Sequence, residues 1–81
     1  MVETILPMQT YKNQGGDSSI SRFQIDTDEL LVEFDNGDKY LYNRIRPGVI
    51  HVRQMQQLAE LGQGLNSYIK QYVNKNFYQK L

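Results

Sequence analysis

Apolar and polar residues follow a strand-like period in the first half of the chain. Residues 18–25 alternate between the two types and shift register once, which is typical of a strand with a β-bulge. Two further β-rich runs, residues 29–35 and 39–45, flank the pair Asn36-Gly37. Such a pair between apolar runs is the strongest short-range signal for a hairpin. This half of the chain therefore predicts a three-stranded antiparallel β-meander.

The hairpin turn also predicts which side chains share a face of the sheet. A two-residue type I′ turn would pair Val32 with Leu41 and would place Tyr40 and Tyr42 on the face away from the core. The predicted core face then holds five apolar side chains: Leu30, Val32, Phe34, Leu41 and Ile45. A three-residue loop with a bulge would shift this register, and this assignment of faces would then not hold.

Helical periodicity begins after Pro47-Gly48, where the predicted sheet ends. A first amphipathic helix is indicated by Val49, Val52, Met55, Leu58 and Ala59. A second is indicated by Leu65, Tyr68, Ile69, Tyr72, Val73 and Phe77. The glycines of Gly62-Gln63-Gly64 separate them, because glycine adopts the left-handed conformation that ends a helix. We expect an α+β fold in which both helices pack on one face of the sheet.

The N-terminal segment has a weaker pattern. Residues 2–11 contain Pro7 and predict an edge strand or an extended arm, and residues 12–17 contain two adjacent glycines, as a flexible linker does. The predicted organisation is therefore an arm and linker over residues 1–17, followed by one β-β-β-α-α domain over residues 18–81.

Composition limits how such a small domain is stabilised. The chain has 81 residues, no cysteine and one histidine, so disulfides and a structural metal site are excluded as means of stabilisation. Either a small core suffices or the chain associates, and the apolar end of the second helix (Phe77, Tyr78 and Leu81) favours a homo-oligomer. No apolar run is long enough to span a membrane, and the first residues do not resemble a signal peptide, so the expected compartment is the cytoplasm.

Charge is distributed very unevenly along the chain although the net charge is zero. Residues 1–38 carry eight acidic and two basic side chains, whereas residues 39–81 carry one acidic and seven basic side chains. This asymmetry is compatible with an anion-binding face, with subunits that pair an acidic side with a basic side, or with basic helices lying on an acidic hairpin.

The segment between residues 39 and 53 contains no acidic residue and is the strongest candidate for a binding site. Basic side chains neutralise phosphate, and tyrosine rings stack on bases, so the pattern indicates a ligand that carries phosphate, either RNA or a nucleotide. The alternative is that the tyrosines pack under the N-terminal arm and that Arg44 pairs with Glu29. The candidate residues are Lys39, Tyr40, Tyr42, Arg44, Arg46, His51 and Arg53.

Catalytic and metal-binding motifs are weak by comparison. The sequence has no cysteine nucleophile, and no neighbouring motif makes His51 a general base. The aspartates near residues 26–28 and 35–38 lack the 12-residue calcium loop and are explained as turn residues. Gly62-Gln63-Gly64 lacks the lysine of a phosphate loop. We therefore expect a protein that is not an enzyme and that needs no cofactor or metal.

The order of these motifs resembles the KTSC domain, the small module found at the C-terminus of lysyl-tRNA synthetases. The residues that carry the resemblance are Ser18-Ser19-Ile20, Phe34-Asp35-Asn36-Gly37, Tyr40-Leu41-Tyr42, Pro47, Ala59-Glu60-Leu61-Gly62 and Asn66-Ser67-Tyr68-Ile69 with Tyr72. Residues 1–17 lie outside the match, and Glu60 stands where serine is usual in the family.

The resemblance implies a small β-then-α fold in a bacterial or phage setting, without established enzymatic activity, and the link to a tRNA synthetase points toward RNA. Three functions follow as expectations. The first is a binding module for RNA or a nucleotide. The second is a phage accessory protein for immune evasion, which would sequester a nucleotide signal or block a host protein. The third is a structural homo-oligomer.

Overall fold

An antiparallel sheet forms the framework of the computed structural model, which describes residues 8–16 and 18–81. Within those residues the sheet has five strands, arranged in the order in which they occur along the chain. They are β1 (Gln9–Thr10), β2 (Ile20–Asp26), β3 (Glu29–Phe34), β4 (Lys39–Asn43) and β5 (Gln79–Lys80). The predicted α+β fold with an antiparallel meander is confirmed. The short edge strand β5 was not predicted.

Helices follow the meander and begin after Gly48. The first helix, α1, spans Val49–Leu61, and it ends at Gly62, whose φ of 77° lets its N–H reach two carbonyl oxygens of the last turn. The second helix, α2, spans Leu65–Tyr68 and continues as a π-helix over Ile69–Val73.

The second helix is shorter than its apolar pattern predicts. The N–H of Asn74 donates to the carbonyl oxygen of Ile69, five residues back, and Asn74 itself has a φ of 53°. This conformation ends the helix, so the predicted helical position of Phe77 is wrong. The chain instead returns to the sheet, where the N–H of Tyr78 donates to the carbonyl oxygen of Leu41 at 2.8 Å.

The core lies between the helices and one face of the sheet. Its fully buried side chains come from β3, β4, α1 and the start of α2; they include Leu30, Val32, Tyr42, Val52, Met55 and Leu65. Residues predicted as an arm and linker take part as well, since Tyr11 is buried and its hydroxyl accepts the N–H of Leu65 at 3.3 Å. The N–H of Gln14 also donates to the carbonyl oxygen of Gly62 at 2.8 Å.

The tip of the β3–β4 hairpin differs from the predicted two-residue turn. The N–H of Phe34 donates to the carbonyl oxygen of Asp38 at 2.8 Å, and the N–H of Gly37 donates to the carbonyl oxygen of Phe34 at 2.9 Å. Three residues, 35–37, therefore form the loop. Gly37 has a φ of 91°, a conformation that glycine adopts without steric cost.

This longer loop shifts the register of the hairpin by one residue. Val32 pairs with Tyr40 and Leu31 pairs with Leu41, whereas the prediction paired Val32 with Leu41. The predicted faces of β4 are therefore wrong, because a shift of one residue exchanges the two sides of a strand. Tyr40 and Tyr42 lie on the core face. The predicted irregularity in β2 is confirmed, as the register shifts between Ile20 and Arg22.

Candidate functional site

The chain between β4 and α1 forms a tight turn that presents two arginines to solvent. We call residues 44–46 the arginine turn; all three of its side chains are exposed. The side chain of Asn43 stabilises the turn. Its Oδ1 accepts hydrogen bonds from the N–H groups of Ile45 at 3.0 Å and of Arg46 at 3.1 Å. An asparagine side chain readily replaces backbone acceptors in this way. The carbonyl oxygen of Asn43 also accepts the N–H of Gly48 at 3.1 Å.

Arg53 is connected to the cleft beside the arginine turn by its ion pair with Asp28. Its Nη2 is 3.4 Å from Oδ1 of Asp28, which sits in the turn between β2 and β3. Asp28 and Arg44 line the same open cleft of about 350 Å³. The Arg53 side chain remains 68% exposed, so this ion pair is screened by solvent. Arg53 thus pairs with a residue of the cleft that Arg44 also lines.

The alternative pairing of Arg44 with Glu29 is not formed. Glu29 stands opposite Asn43 in the sheet, one residue away from the predicted partner. Across residues 8–16 and 18–81, neither Arg44 nor Arg46 makes a salt bridge. Both guanidinium groups are therefore open to an anionic ligand within the described part of the chain.

The two predicted tyrosines are not part of this surface. Tyr42 is only 2% exposed, and burial, with a smaller effect of Tyr40, raises the pKa of its hydroxyl to about 12. Tyr40 lies between two other rings, with centroid distances of 5.6 Å to Phe34 and 4.8 Å to Phe77. The prediction that both tyrosines join the arginines in one exposed patch is therefore wrong, and Tyr42 has no ring face free for stacking.

Lys39 and His51 also lie apart from the arginine turn. Lys39 is at the other end of β4, where its Nζ is 3.9 Å from Oε2 of Glu33. The same carboxylate binds Arg22, whose hydrogen bond holds the pKa of Glu33 below its ordinary value. His51 lies on α1, with its Nδ1 2.7 Å from the hydroxyl of Tyr68. The structure thus divides the predicted patch and keeps the three arginines at one end of the sheet.

An aromatic surface that the sequence analysis did not select begins at His51. The His51 and Tyr68 ring centroids are 5.8 Å apart, and those of Tyr68 and Tyr72 are 4.9 Å apart. Tyr72 is 58% exposed, whereas burial and the neighbouring Tyr72 raise the pKa of Tyr68. Helical spacing assigned both tyrosines to the core. The π-helix that carries Tyr72 is the feature that sequence periodicity could not reveal.

A shallow groove lies along the residues between the arginine turn and His51. It has a volume of about 290 Å³ and is lined by Pro47, Gly48, Val49, Ile50 and His51. The groove begins one residue after the arginine turn and ends at the histidine that binds Tyr68. Basic, apolar and aromatic side chains therefore follow one another along this end of the molecule.

These features define a small α+β domain with an exposed basic turn and a neighbouring aromatic surface. In the described residues, no group of three or more histidine, aspartate or glutamate side chains is placed to hold a metal ion. None of the helices formed by those residues combines the length and apolar character needed to cross a membrane. No family model, curated protein or solved structure matches the chain. The resemblance to the KTSC domain stays a prediction.

Proposed function

We propose that this protein is a non-enzymatic binding module for single-stranded RNA. The observation that carries the proposal is the arginine turn, in which Arg44 and Arg46 are exposed and free of salt bridges among the described residues. Guanidinium groups donate two parallel hydrogen bonds to phosphate oxygens. Because the backbone of the turn is tied to buried Asn43, little ordering of the backbone is needed on binding.

The proposed path for the strand runs from the arginine turn along the groove to Tyr72. Phosphates would contact the arginines, and a base would stack on the exposed ring of Tyr72. A positively charged surface beside an aromatic ring is the usual arrangement of single-strand binding sites. A single strand offers several phosphates and several bases, so it can use a basic and an aromatic surface together, whereas a mononucleotide has a single base. This supports RNA over the alternative of a small nucleotide.

Fluorescence anisotropy with a labelled single-stranded RNA of about 12 nucleotides tests the proposal. We expect affinity to fall steeply with salt, because arginine–phosphate contacts release counterions. Arg46→Glu should weaken RNA binding by about tenfold or more, because it removes an attraction to phosphate and the new glutamate repels the phosphates. The matched control is Lys12→Glu, which makes the same charge change at Gly62, beyond the far end of α1. Equal losses in the two variants would contradict a site at the arginine turn.

Stacking is tested separately with two exposed tyrosines. Tyr72→Ala should weaken RNA binding by roughly 1–3 kcal/mol. The control is Tyr78→Ala, because Tyr78 is also exposed but lies next to β5. If both variants bind RNA as the wild-type protein does, the strand does not reach the aromatic surface.

A protein-docking function is the second candidate, and it rests on two exposed isoleucines. Ile45 and Ile50 are 67% and 82% exposed, on the arginine turn and in the first turn of α1. Exposed apolar side chains beside arginines are common at protein interfaces. The partner would be a host protein, as in immune evasion, or a second copy of the chain.

Sedimentation separates these possibilities. A 9.5 kDa species at micromolar concentration would contradict the homo-oligomer. If the protein associates, Ile45→Ser with Ile50→Ser should abolish the association and leave RNA binding intact. Loss of RNA binding in the same variant would show that the isoleucines belong to the RNA site instead.

A further inference from the structure

A second cleft lies at the opposite end of β4 from the arginine turn. It has a volume of about 400 Å³ and is open to solvent in the described part of the chain. The cleft lies beside the tip of the β3–β4 hairpin. Its lining residues are Ser19, Phe34, Asp35, Asn36, Asp38 and Tyr40.

Two aromatic rings form the apolar wall of this cleft. Phe34 and Tyr40 meet edge to face, with an interplanar angle of 80° and a centroid distance of 5.6 Å. Both side chains are partly buried and pack against the core, and Tyr40 is further held by Phe77. The rings are therefore fixed in place while part of their surface remains open. The π-face of an aromatic ring attracts a cation.

Two carboxylates stand beside these rings, and each accepts a hydrogen bond from a neighbouring side chain. Asp35 accepts a hydrogen bond from the hydroxyl of Ser21, and its N–H donates to the carbonyl oxygen of Ser19 at 2.8 Å. Asp38 accepts a hydrogen bond from Nδ2 of Asn36 at 3.2 Å. Each carboxylate keeps further acceptor capacity, because an ionised carboxylate has about four acceptor positions.

The position of Lys80 shows how a positive charge is bound at this cleft. Its Nζ lies 3.6 Å from Oδ2 of Asp38 and 5.7 Å from the centroid of the Tyr40 ring. A cation therefore contacts both the carboxylate and the ring at once. The Lys80 side chain is 53% exposed and pairs with Asp38 alone, while Asp35 also lines the cleft. A net negative charge remains at the cleft.

We infer that this cleft binds the guanidinium group of an arginine side chain from a partner protein. The planar guanidinium would lie against Tyr40, and its N–H groups would donate to Asp35 and Asp38. Arginine suits this cleft better than lysine, because it stacks on aromatic rings, is weakly hydrated and presents several donors in one plane. This site is independent of the arginine turn at the other end of β4.

The test is an NMR titration of the whole chain with N-acetyl-arginine methylamide. We expect saturable shifts of the backbone amide signals of residues 35–38. The control ligand is N-acetyl-citrulline methylamide, which has nearly the same shape and no charge. Equal shifts with both ligands, or none with the arginine derivative, would overturn the inference.

Variants of exposed residues sharpen this test. Asp35→Asn should weaken binding by up to about fivefold, the usual limit for an exposed ion pair. Asp26→Asn is its control, since Asp26 ends β2 at the other end of the sheet. Tyr40→Leu should weaken binding about threefold through loss of the cation–π contact. If the Tyr40→Leu variant does not fold, the comparison of Asp35→Asn with Asp26→Asn still tests the inference.

Lys80→Gln gives an effect of the opposite sign. Removing Lys80 frees Asp38 and the ring of Tyr40, so binding of the arginine derivative should strengthen by about twofold to fivefold. Lys12→Gln removes the same charge beside Gly62 and should leave the affinity unchanged. If Lys80→Gln binds no more tightly than Lys12→Gln, the arginine does not occupy the place at which Lys80 now rests, and the inference fails.

Discussion

Asn43 and Arg46 are joined by two hydrogen bonds that run in opposite directions. The N–H of Asn43 donates to the carbonyl oxygen of Arg46 at 2.7 Å, and the N–H of Arg46 donates to Oδ1 of Asn43 at 3.1 Å. Asn43 is 7% exposed, so these bonds are largely shielded from water. The backbone of Arg46 is therefore fixed relative to the last residue of β4, so the arginine turn is anchored to the end of the sheet.

The first prediction concerns this pair. Asn43→Ala should lower the free energy of unfolding by roughly 1–3 kcal/mol, because the N–H groups of Ile45 and Arg46 lose their acceptor. RNA affinity should fall as well, since the arginines are no longer held in one arrangement. Urea denaturation and anisotropy measure the two effects. Asn43→Asp keeps the acceptor oxygen and should recover part of both; an aspartate variant no better than alanine would contradict this role.

The second prediction concerns the hairpin tip. Gly37→Val should destabilise the protein by roughly 1–2 kcal/mol, because a φ of 91° is strained for a residue with a branched side chain. Among the residues that the structure describes, no atom beyond the chain neighbours of Gly37 lies within 4 Å of an added Cβ, so the cost is one of backbone conformation and not of packing.

Asn36→Ala serves as the comparison for Gly37 and should cost less. It removes two exposed side-chain bonds, in which Oδ1 of Asn36 accepts the N–H of Asp38 at 2.9 Å and Nδ2 donates to Oδ2 of Asp38 at 3.2 Å. Urea denaturation of both variants is the measurement. Equal and negligible losses would mean that Gly37 does not need its positive φ.

The third prediction concerns alkaline pH. Burial raises the pKa of Tyr42 from 10.0 to about 12. Between these two pH values the hydroxyl is therefore protonated in the folded chain but ionised in the unfolded chain. The neutral, buried hydroxyl makes its full contribution to the free energy of unfolding below about pH 10. About 2 kcal/mol of that contribution is lost as the pH rises toward 12. Urea midpoints across this range measure the loss. Tyr42→Phe should show a shallower decline; identical slopes would contradict the prediction.

The hairpin was predictable from the sequence in its position but not in its register. Asn36-Gly37 identifies the tip, because both residues favour the backbone of tight turns. The same pair is compatible with a two-residue turn or with a three-residue loop that ends at Gly37. The bond from the N–H of Phe34 to the carbonyl oxygen of Asp38 selects the longer loop, and only the folded chain shows that bond.

The second helix was predictable in its beginning but not in its end. Apolar residues continue at helical spacing as far as Phe77, and the periodicity correctly indicates that this ring is at least partly buried. It contacts Tyr40 after the chain has left the helix. Periodicity therefore indicated the partial burial of Phe77, although it misplaced Tyr72, whereas the chain changes direction at Asn74, whose φ is positive.

By itself, the sequence determined the α+β class, the positions of the meander and of α1, and the acid-free segment that contains the arginine turn. Tertiary structure decided which of those side chains act together. A shift of one residue in β4 placed Tyr40 and Tyr42 on the core face, and Tyr72, in the π-helix, is exposed. The physical reason is that strand faces alternate with every residue, so a change in one loop exchanges the sides of a whole strand.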